Sequence, residues 1–409
     1  MLPFLLAVTL SLQTVQPAGP IEVLEVTGPI DATLVEFLEG TLQEAVARGS
    51  QAVILQLDAP GAVTEDIHRL LELVEDPPLP VVVWVGPAPA VAYGGAAQLL
   101  AAAQVGLAAP GTRIGYLQPT VAGGGGPSQA PAGMPPRLLD EAVLVEGPVP
   151  GLVAEAIPTL GQVVVGLHGR MVTVRGEART LATAEPSEGG EGPRPAVGVR
   201  FHQPGLVARV LRMALRPEAA FLFLVAGLAV GVFEYYALGP GIAAAVAVLL
   251  LLVGGYGLAV LPLTWWALSL TLGGLGLLAA DVQRGAPGIA TATGLVMLAV
   301  GGLRFTDAAP QLVPTWWAVL ATVVAVGLFF RVGITTVARA RFSTPTIGRE
   351  HLIGRQGKAA SDLTPEGVVL VGEAQWKAVS HRQAGIRAGD PVTVVGVRGA
   401  VLRVEPAER

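Results

Sequence analysis

The chain has 409 residues, 52% of them hydrophobic and 14% charged, with a formal net charge of −5 and a mean hydropathy of +0.60. That is too apolar for an ordinary soluble protein, and the mild acidity carries no nucleic-acid signal. There is no cysteine, which excludes disulfides, thiolate metal sites and cysteine nucleophiles.

The opening "MLPFLLAVTLSLQTVQPAGP" has an apolar core of about ten residues, too short to span a bilayer but suited to a secretory leader. It predicts a signal peptide or N-terminal anchor over 1–18, although no basic n-region precedes it. "IEVLEVTGPID" alternates as a strand does, and "ATLVEFLEGTLQEAVARG" sets Leu34, Phe37, Leu38, Leu42, Ala45 and Val46 on one helix face, with Gly49 as a C-cap. "AVILQLDAPG" is a continuous apolar strand ending at Asp58. "TEDIHRLLELVED" predicts a helix capped by Thr64 and ended by Pro77, Pro78 and Pro80. "VVVWVG" (Val81–Gly86) is a buried strand, and "PAPAVAYGGA" (Pro87–Ala96) is a tight glycine turn that opens a helix. Short strands follow, then a low-complexity loop over Thr120–Pro136, a short helix near Arg137–Val145 and a β-rich stretch around "QVVVGLHGRMVTVRG". The strand–helix rhythm predicts an α/β domain with parallel pairing over residues 19–215.

Between Ala219 and Ala280 the only charged residue is Glu234. Apolar windows at Ala220–Leu238, Gly241–Leu261, Leu263–Ala280, Pro287–Leu303 and Pro314–Phe330 predict a bundle of about five membrane helices over 219–335. Four spans remain an alternative if a glycine-rich window only dips in. Trp265, Trp266, Trp316 and Trp317 sit near span ends, as interfacial aromatics do. Residues 345–409 are soluble again, with one hairpin turning at Gly372-Glu373, a second around Arg398-Gly399, and about five short strands in all, which predicts a small closed barrel.

"LDAPGA" (Leu57–Ala62), "PVVVWVGPAPAVAYGGA" and "AAPGTRIGYLQP" resemble the N-terminal domain of the long NfeD proteins. The tail "IGRQGKAASDLTPEGVVLVGEAQWKAVS…IRAGDPVTVVGVRGAVLRVEP" resembles the NfeD C-terminal domain more closely still. The resemblance implies a multi-domain membrane protein: an α/β domain of the Clp-protease/crotonase fold, a helical membrane bundle and an all-β OB-fold barrel. It also implies a membrane-bound serine protease using a Ser–Lys dyad, and a partner of the stomatin/flotillin-like (SPFH) class.

The dyad's residues are not in the expected places. Tyr93 stands where the resemblance puts the nucleophilic serine, followed by Gly94. The Gly-Gly oxyanion turn appears as Gly61-Ala62. The helix that carries the lysine is replaced by the Gly/Pro-rich loop, and the chain's two lysines are Lys358 and Lys377. A serine needs a base to take its proton, and a phenol with a pKa of about 10 is a poor substitute. Gly61, Ala62, Tyr93 and Gly94 are therefore read as a degenerate site, expected to be inactive.

Other constellations are weaker. Ser50, Ser128 and Ser187 lie in loops, His68 is on a helix face with Asp58 its one candidate acid, and His168 adjoins a glycine turn. "GGGGP" lacks the Gly-Lys-Ser/Thr of a phosphate loop. Glu234 reads as a headgroup-level acid beside Tyr235 and Tyr236, and without a second buried ionisable residue the spans make a poor transporter. The barrel's one aromatic, Trp376, and its 9 Lys/Arg against 7 Asp/Glu argue against single-stranded nucleic acid. No cofactor or metal is expected.

The favoured reading is a non-catalytic scaffold for an SPFH protein. An endopeptidase using non-standard residues and a transporter are the alternatives, and self-association is left open. A leader followed by five spans puts the α/β domain outside the cytoplasm and the barrel inside. Arg331, Arg339 and Arg341 flank the last span in agreement; Arg209, Arg212 and Arg216 before the first span conflict.

Overall fold

Apolar runs bounded by glycine and proline form the strands of a six-stranded, all-parallel sheet. In chain order its domain holds β1 (Ile21–Thr27), α1 (Ala32–Ala47), β2 (Ala52–Asp58), α2 (Ile67–Glu75), β3 (Val81–Val85), β4 (Val91–Tyr93), α3 (Gly95–Ala102), β5 (Val105–Ala108), β6 (Arg113–Gly115), β7 (Ala142–Leu144), β8 (Glu155–Ala156) and α4 (Leu160–Gly166). Two small hairpins follow, β9 (Met171–Val174) with β10 (Glu177–Thr180) and β11 (Ala184–Glu185) with β12 (Arg194–Pro195), then β13 (Val199–His202). The sheet order is β13-β1-β2-β3-β5-β8. This computed structural model describes residues 19–124, 135–186, 193–237, 239–284, 288–306, 310–342, 349–380 and 385–407, in two units, Met1–Ala338 and Arg339–Arg409. The expected leader at 1–18 and most of the Gly/Pro-rich loop lie outside the described residues.

Both sheet faces are covered, which is why the inner strands β3 and β5 read as unbroken apolar runs rather than alternating ones. Val53, Leu55 and Leu57 of β2 face one core with Leu38 of α1, Leu70 of α2 and Leu99 of α3. Ala52 and Ile54 face the other, with Trp84, Leu107 and Val163, Val164 and Leu167 on or next to α4. The buried indole of Trp84 donates to the Ile157 carbonyl at 3.0 Å, so its polar atom is satisfied. Asp31 caps α1 through the Leu34 amide. The helix expected near Arg137–Val145 is instead a 3-10 turn, Pro136–Leu139, followed by β7, whose backbone pairs with the edge of β6. In α2 the cap position is Asp66 rather than Thr64; the Thr64 hydroxyl bonds the Asp66 carboxylate at 3.0 Å.

A short helix α5 (Leu206–Arg212) leads to α6 (Pro217–Ala237), α7 (Ile242–Val260), α8 (Trp265–Gln283), α9 (Ile289–Leu303) and α10 (Trp316–Leu328). A π-helical stretch, Phe329–Ile334, joins α10 to α11 (Thr335–Phe342). Each of the five apolar windows thus holds a helix. Among the described residues four helices are long and apolar enough to cross a membrane, α6, α7, α8 and the continuous run Trp316–Ala338 that joins α10 to α11, while α9 has 15 residues. Neighbours pack through glycine, as membrane helices do when backbones approach closely. A Cβ on Gly274 of α8 would fall 2.6 Å from the Gly294 carbonyl of α9, and one on Gly254 of α7 would fall 3.1 Å from Phe223 of α6. Antiparallel pairing of α8 with α9 runs the full length of α9, from Asp281–Gly288 at one end to Thr271–Gly301 at the other.

The second unit is a closed barrel of β14 (Gln356–Ala359), β15 (Glu366–Val371), β16 (Ala374–Ser380), β17 (Pro391–Arg398) and β18 (Val401–Pro406), in the order β14-β15-β16-β18-β17. Val369, Val371, Ala378, Val392, Val394, Leu402 and Val404 fill it. Gly372, at φ +63°, makes the β15–β16 turn, while its neighbour Glu373 keeps negative φ, as a type II′ turn requires.

Candidate functional site

Two turns meet beyond the end of β2. The Asp58 carboxylate accepts the Val91 amide at 3.1 Å, which ties the end of β2 to the start of β4. Ala59 continues the tie, receiving the Tyr93 amide at 3.1 Å and donating to the Val91 carbonyl at 2.8 Å. Gly61 follows at φ +150°, then the fully buried Ala62. On the facing turn Gly94 adopts φ +54°, ψ −128°, and Gly95 opens α3. A Cβ on Gly95 would come within 3.0 Å of the Ala62 methyl, so the two turns are in contact and only glycine fits between them. The structure therefore brings Gly61, Ala62, Tyr93 and Gly94 to one place.

The amides of the facing turn are already engaged. The Gly94 amide donates to the Tyr116 carbonyl at 2.8 Å, and the Gly95 amide to the Thr120 carbonyl at 2.9 Å. Stabilising an acyl intermediate needs such amides aimed at the developing oxyanion; here the segment 116–120 holds them. Tyr93 is half-buried, edge-on to the Tyr116 ring at 5.3 Å between centroids. Burial pushes its phenol pKa up, with the Arg113 charge opposing and Tyr116 adding to the rise, so the hydroxyl keeps its proton at neutral pH. Tyr116 itself sits at φ +44°, an uncommon backbone state for a non-glycine residue.

A side chain from the bundle closes the cleft. Gln311, in the connection between α9 and α10, is 7% exposed. Its Nε2 donates to the carbonyls of Tyr116 at 3.0 Å, Gln118 at 3.2 Å and Pro119 at 3.4 Å. Three acceptors fix the amide's orientation and turn Oε1 toward Gly61; that oxygen has no hydrogen-bond partner among the described residues. Ala122 extends the contact by packing into the bundle core with residues such as Leu261 and Leu312.

A second seam binds the same two parts. Asp31, 1% exposed, is paired with Arg212 and accepts the Tyr256 hydroxyl from α7; Arg212 also donates to the Thr27 carbonyl at 2.8 Å. Burial pulls the Arg212 pKa down and Asp31 opposes it. Sequence reasoning missed both seams, since the partners lie about 180 or more positions apart.

No alternative triad assembles among the described residues. His68 is exposed and next to Glu65 at 3.5 Å, while the Asp58 carboxylate is taken by Val91. His168 Nδ1 accepts the Ala184 amide at 3.1 Å. The Ser50 hydroxyl bonds Glu22 at 2.8 Å, and Glu22 bonds His202 at 2.6 Å. The carboxylate thus stands between serine and imidazole, where a triad places the imidazole. Ser128 and Ser187 lie outside the described residues. Glu234 is near the end of α6, its carboxylate against Gly239. A second buried acid does exist: Asp281, one residue past the third window, is 5% exposed. It accepts the Gly288 amide at 2.8 Å and the Thr291 amide at 3.0 Å, which makes it a cap for α9.

An α/β domain clamped onto a glycine-packed apolar bundle, with a barrel following in sequence, defines a multidomain integral membrane protein. Comparison with known families gives two of its parts a place: residues 218–334 match the NfeD integral membrane domain and residues 349–406 the NfeD-like C-terminal, partner-binding domain. Among curated proteins it is similar to the membrane-bound protease PH1510 of Pyrococcus horikoshii, 23% identical over 416 residues that span 93% of this chain and 92% of the relative. Similar solved structures include these two. One is the 1510-N membrane protease specific for a stomatin homolog from Pyrococcus horikoshii, 16% identical, TM-score 0.36, covering 47% of this chain and 96% of that one. The other is the C-terminal domain of the stomatin operon partner protein 1510-C from the same organism, 35% identical, TM-score 0.15, covering 15% of this chain and 98% of that one.

Proposed function

We propose that this protein is a catalytically inactive protease homologue that serves as a membrane scaffold for a stomatin/flotillin-like (SPFH) partner. The observation that carries the reading is the state of the nucleophile turn: Tyr93 occupies it, and the Gly94 and Gly95 amides are spent on the Tyr116 and Thr120 carbonyls. The absence of lysine before Lys358 removes the family's base as well. The partner class is supported by the matched partner-binding domain and by relatives named for a stomatin homolog and a stomatin operon. One observation favours the competing endopeptidase reading: the relative similar over nearly the whole chain is a membrane-bound protease.

In this proposal the α/β domain faces away from the cytoplasm and the barrel faces the cytoplasm. Support comes from the bundle: α5 at the entry to α6, the α7–α8 connection and the α9–α10 connection meet the α/β domain through Arg212, Pro262 and Gln311, so five antiparallel helices carry the chain to the other side. At about 1.5 Å per residue α9 is shorter than the ~30 Å hydrocarbon layer, so its passage needs local thinning or flanking residues.

The test pairs activity with topology. The full chain in detergent should leave casein intact and take no fluorophosphonate label, and it should co-purify with a stomatin-type protein expressed beside it. Alkaline phosphatase fused after Gly205 should be active, and after Arg409 silent. Cleavage abolished by a substitution at Tyr93 would establish the endopeptidase instead, and equal activity of both fusions would mean an even number of crossings.

A further inference from the structure

The segment just before the first membrane helix, α5 and the 3-10 turn Met213–Leu215, has an exposed apolar side. Leu206, Val207, Val210 and Met213 are 69%, 74%, 42% and 58% exposed, a continuous apolar stripe at spacings of one, four and seven residues. Such a stripe needs a cover, and its position names one. Pro217 begins α6, a 21-residue apolar helix of the membrane domain, so Arg216 stands at the boundary between lipid and water. At Arg216 the backbone leaves the helical region, φ −83° and ψ 126°, so α5 is not a continuation of α6 but turns away from it at that boundary. The opposite side of the segment is anchored: Ala214 and Leu215 are buried, with Ala214 against Gly257 of α7, and Arg212 points inward to Asp31.

Two cations remain at the surface. Arg209 and Arg216 are exposed, and together with Arg212, Gln203, Gly28 and Ala219 they line a cleft of about 490 Å³ between the β1–α1 turn and the start of α6. Glu25, also in the lining, is held by Gln203 at 2.7 Å. An amphipathic helix with arginines beside its apolar face binds in the interface plane and favours anionic lipid. We propose that α5 lies in the headgroup layer with its stripe in the acyl boundary, and that Arg209 and Arg216 bind the phosphate of an anionic lipid headgroup at the cleft.

The absence of cysteine makes the test clean, because a single introduced cysteine is the only labelling site. The full chain in nanodiscs of phosphatidylcholine with phosphatidylglycerol carries a nitroxide at Val207→Cys, and separately at Val46→Cys on the exposed side of α1. The 207 label should be oxygen-accessible and shielded from an aqueous nickel chelate, at a depth of about 5–10 Å in the interface; the 46 label should be in water. Enrichment of spin-labelled phosphatidylglycerol over phosphatidylcholine should fall by up to about fivefold for each of Arg209→Gln and Arg216→Gln, the effect of one basic side chain near an anionic surface. The Arg209→Lys, Arg216→Lys pair keeps the charge and should keep the enrichment, which separates lost binding from misfolding. A 207 label in water overturns the bilayer contact. A 207 label hidden from water and lipid alike means that protein, such as a second copy, covers the stripe. Unchanged enrichment in the double glutamine variant overturns the headgroup site.

Discussion

Removing the Gln311 amide should loosen the cleft from the bundle side. Its two N–H groups serve three carbonyls, and the Tyr116 carbonyl keeps the Gly94 amide at 2.8 Å, so the side chain supplies at most two full bonds. At about 1 kcal/mol net per bond the loss is ~2 kcal/mol. Losing the unpartnered Oε1 offsets part of this, since a buried polar atom without a partner costs about 1–3 kcal/mol. Gln311→Ala should therefore weaken the seating of segment 116–120 by about 1 kcal/mol, a fivefold rise in local opening. Gln311→Glu should cost more, because it points a second acceptor at three carbonyls and restores a donor only when protonated. Hydrogen exchange of the full chain in nanodiscs reads this directly: the Gly94 and Gly95 amides can exchange only when 116–120 lifts away. Their exchange should quicken about fivefold in the alanine variant and further in the glutamate variant at neutral pH. Unchanged protection in both, or a glutamate variant milder than alanine, would refute the assignment of Gln311 as the brace of this turn.

Tyr93→Ser should yield no proteolysis of casein, because a serine without a base forgoes about 10²–10⁴-fold of general-base help and finds the turn's amides occupied; robust turnover by the single variant would reveal a base elsewhere. Glu22 is fully buried; burial pushes its pKa up, but hydrogen bonds from His202 and Ser50 and the Arg48 charge outweigh that and hold it below the usual carboxylate value. Its stabilising contribution is thus present above the unfolded carboxyl's pKa of about 4.3 and lost as pH falls through the lower folded value. Melting curves of the full chain should drop over that acid window, and Glu22→Gln should flatten the drop; an identical slope in both proteins would contradict the linkage. Gly274→Leu must part α8 from α9, since its first side-chain carbon would lie 2.6 Å from the Gly294 carbonyl. A nitroxide pair across the two helices should report a wider spacing, and unaltered spacing would show that the helices do not touch as described.

The strands of the α/β domain were legible because a sheet buried on both faces writes itself as apolar runs, and proline and glycine mark where they stop. The membrane windows were legible from composition, and the barrel hairpins from Gly372 and Gly399, both at positive φ. The residues 137–145 misled, because a short apolar stretch carries no period and the free edge of β6 decided its fate. The four site residues could be placed together by resemblance. What the turn's amides do could not, because backbone partners are chosen by the loop that folds over them. Gln311 and Arg212 gave no signal for a related reason: their meaning depends on which bundle connections come to rest against the α/β domain. An uncharged glutamine in a connection and one arginine among three look like ordinary surface chemistry until that arrangement is known.

The buried pair of Asp31 and Arg212 has a mechanical consequence. Pulling such a pair apart while either member stays buried costs about 3–5 kcal/mol, so intermediate positions of the α/β domain, half lifted from its helices, are disfavoured. With the glutamine latch beside the cleft and the ion pair at the start of α1, the domain has two rivets rather than a hinge. Tilting one rivet open loads the other, and force applied to the domain passes to α5, α7 and the α9–α10 connection together. The assembly therefore behaves as a stiff lever on the membrane, which transmits a push or a twist as a whole or releases all at once.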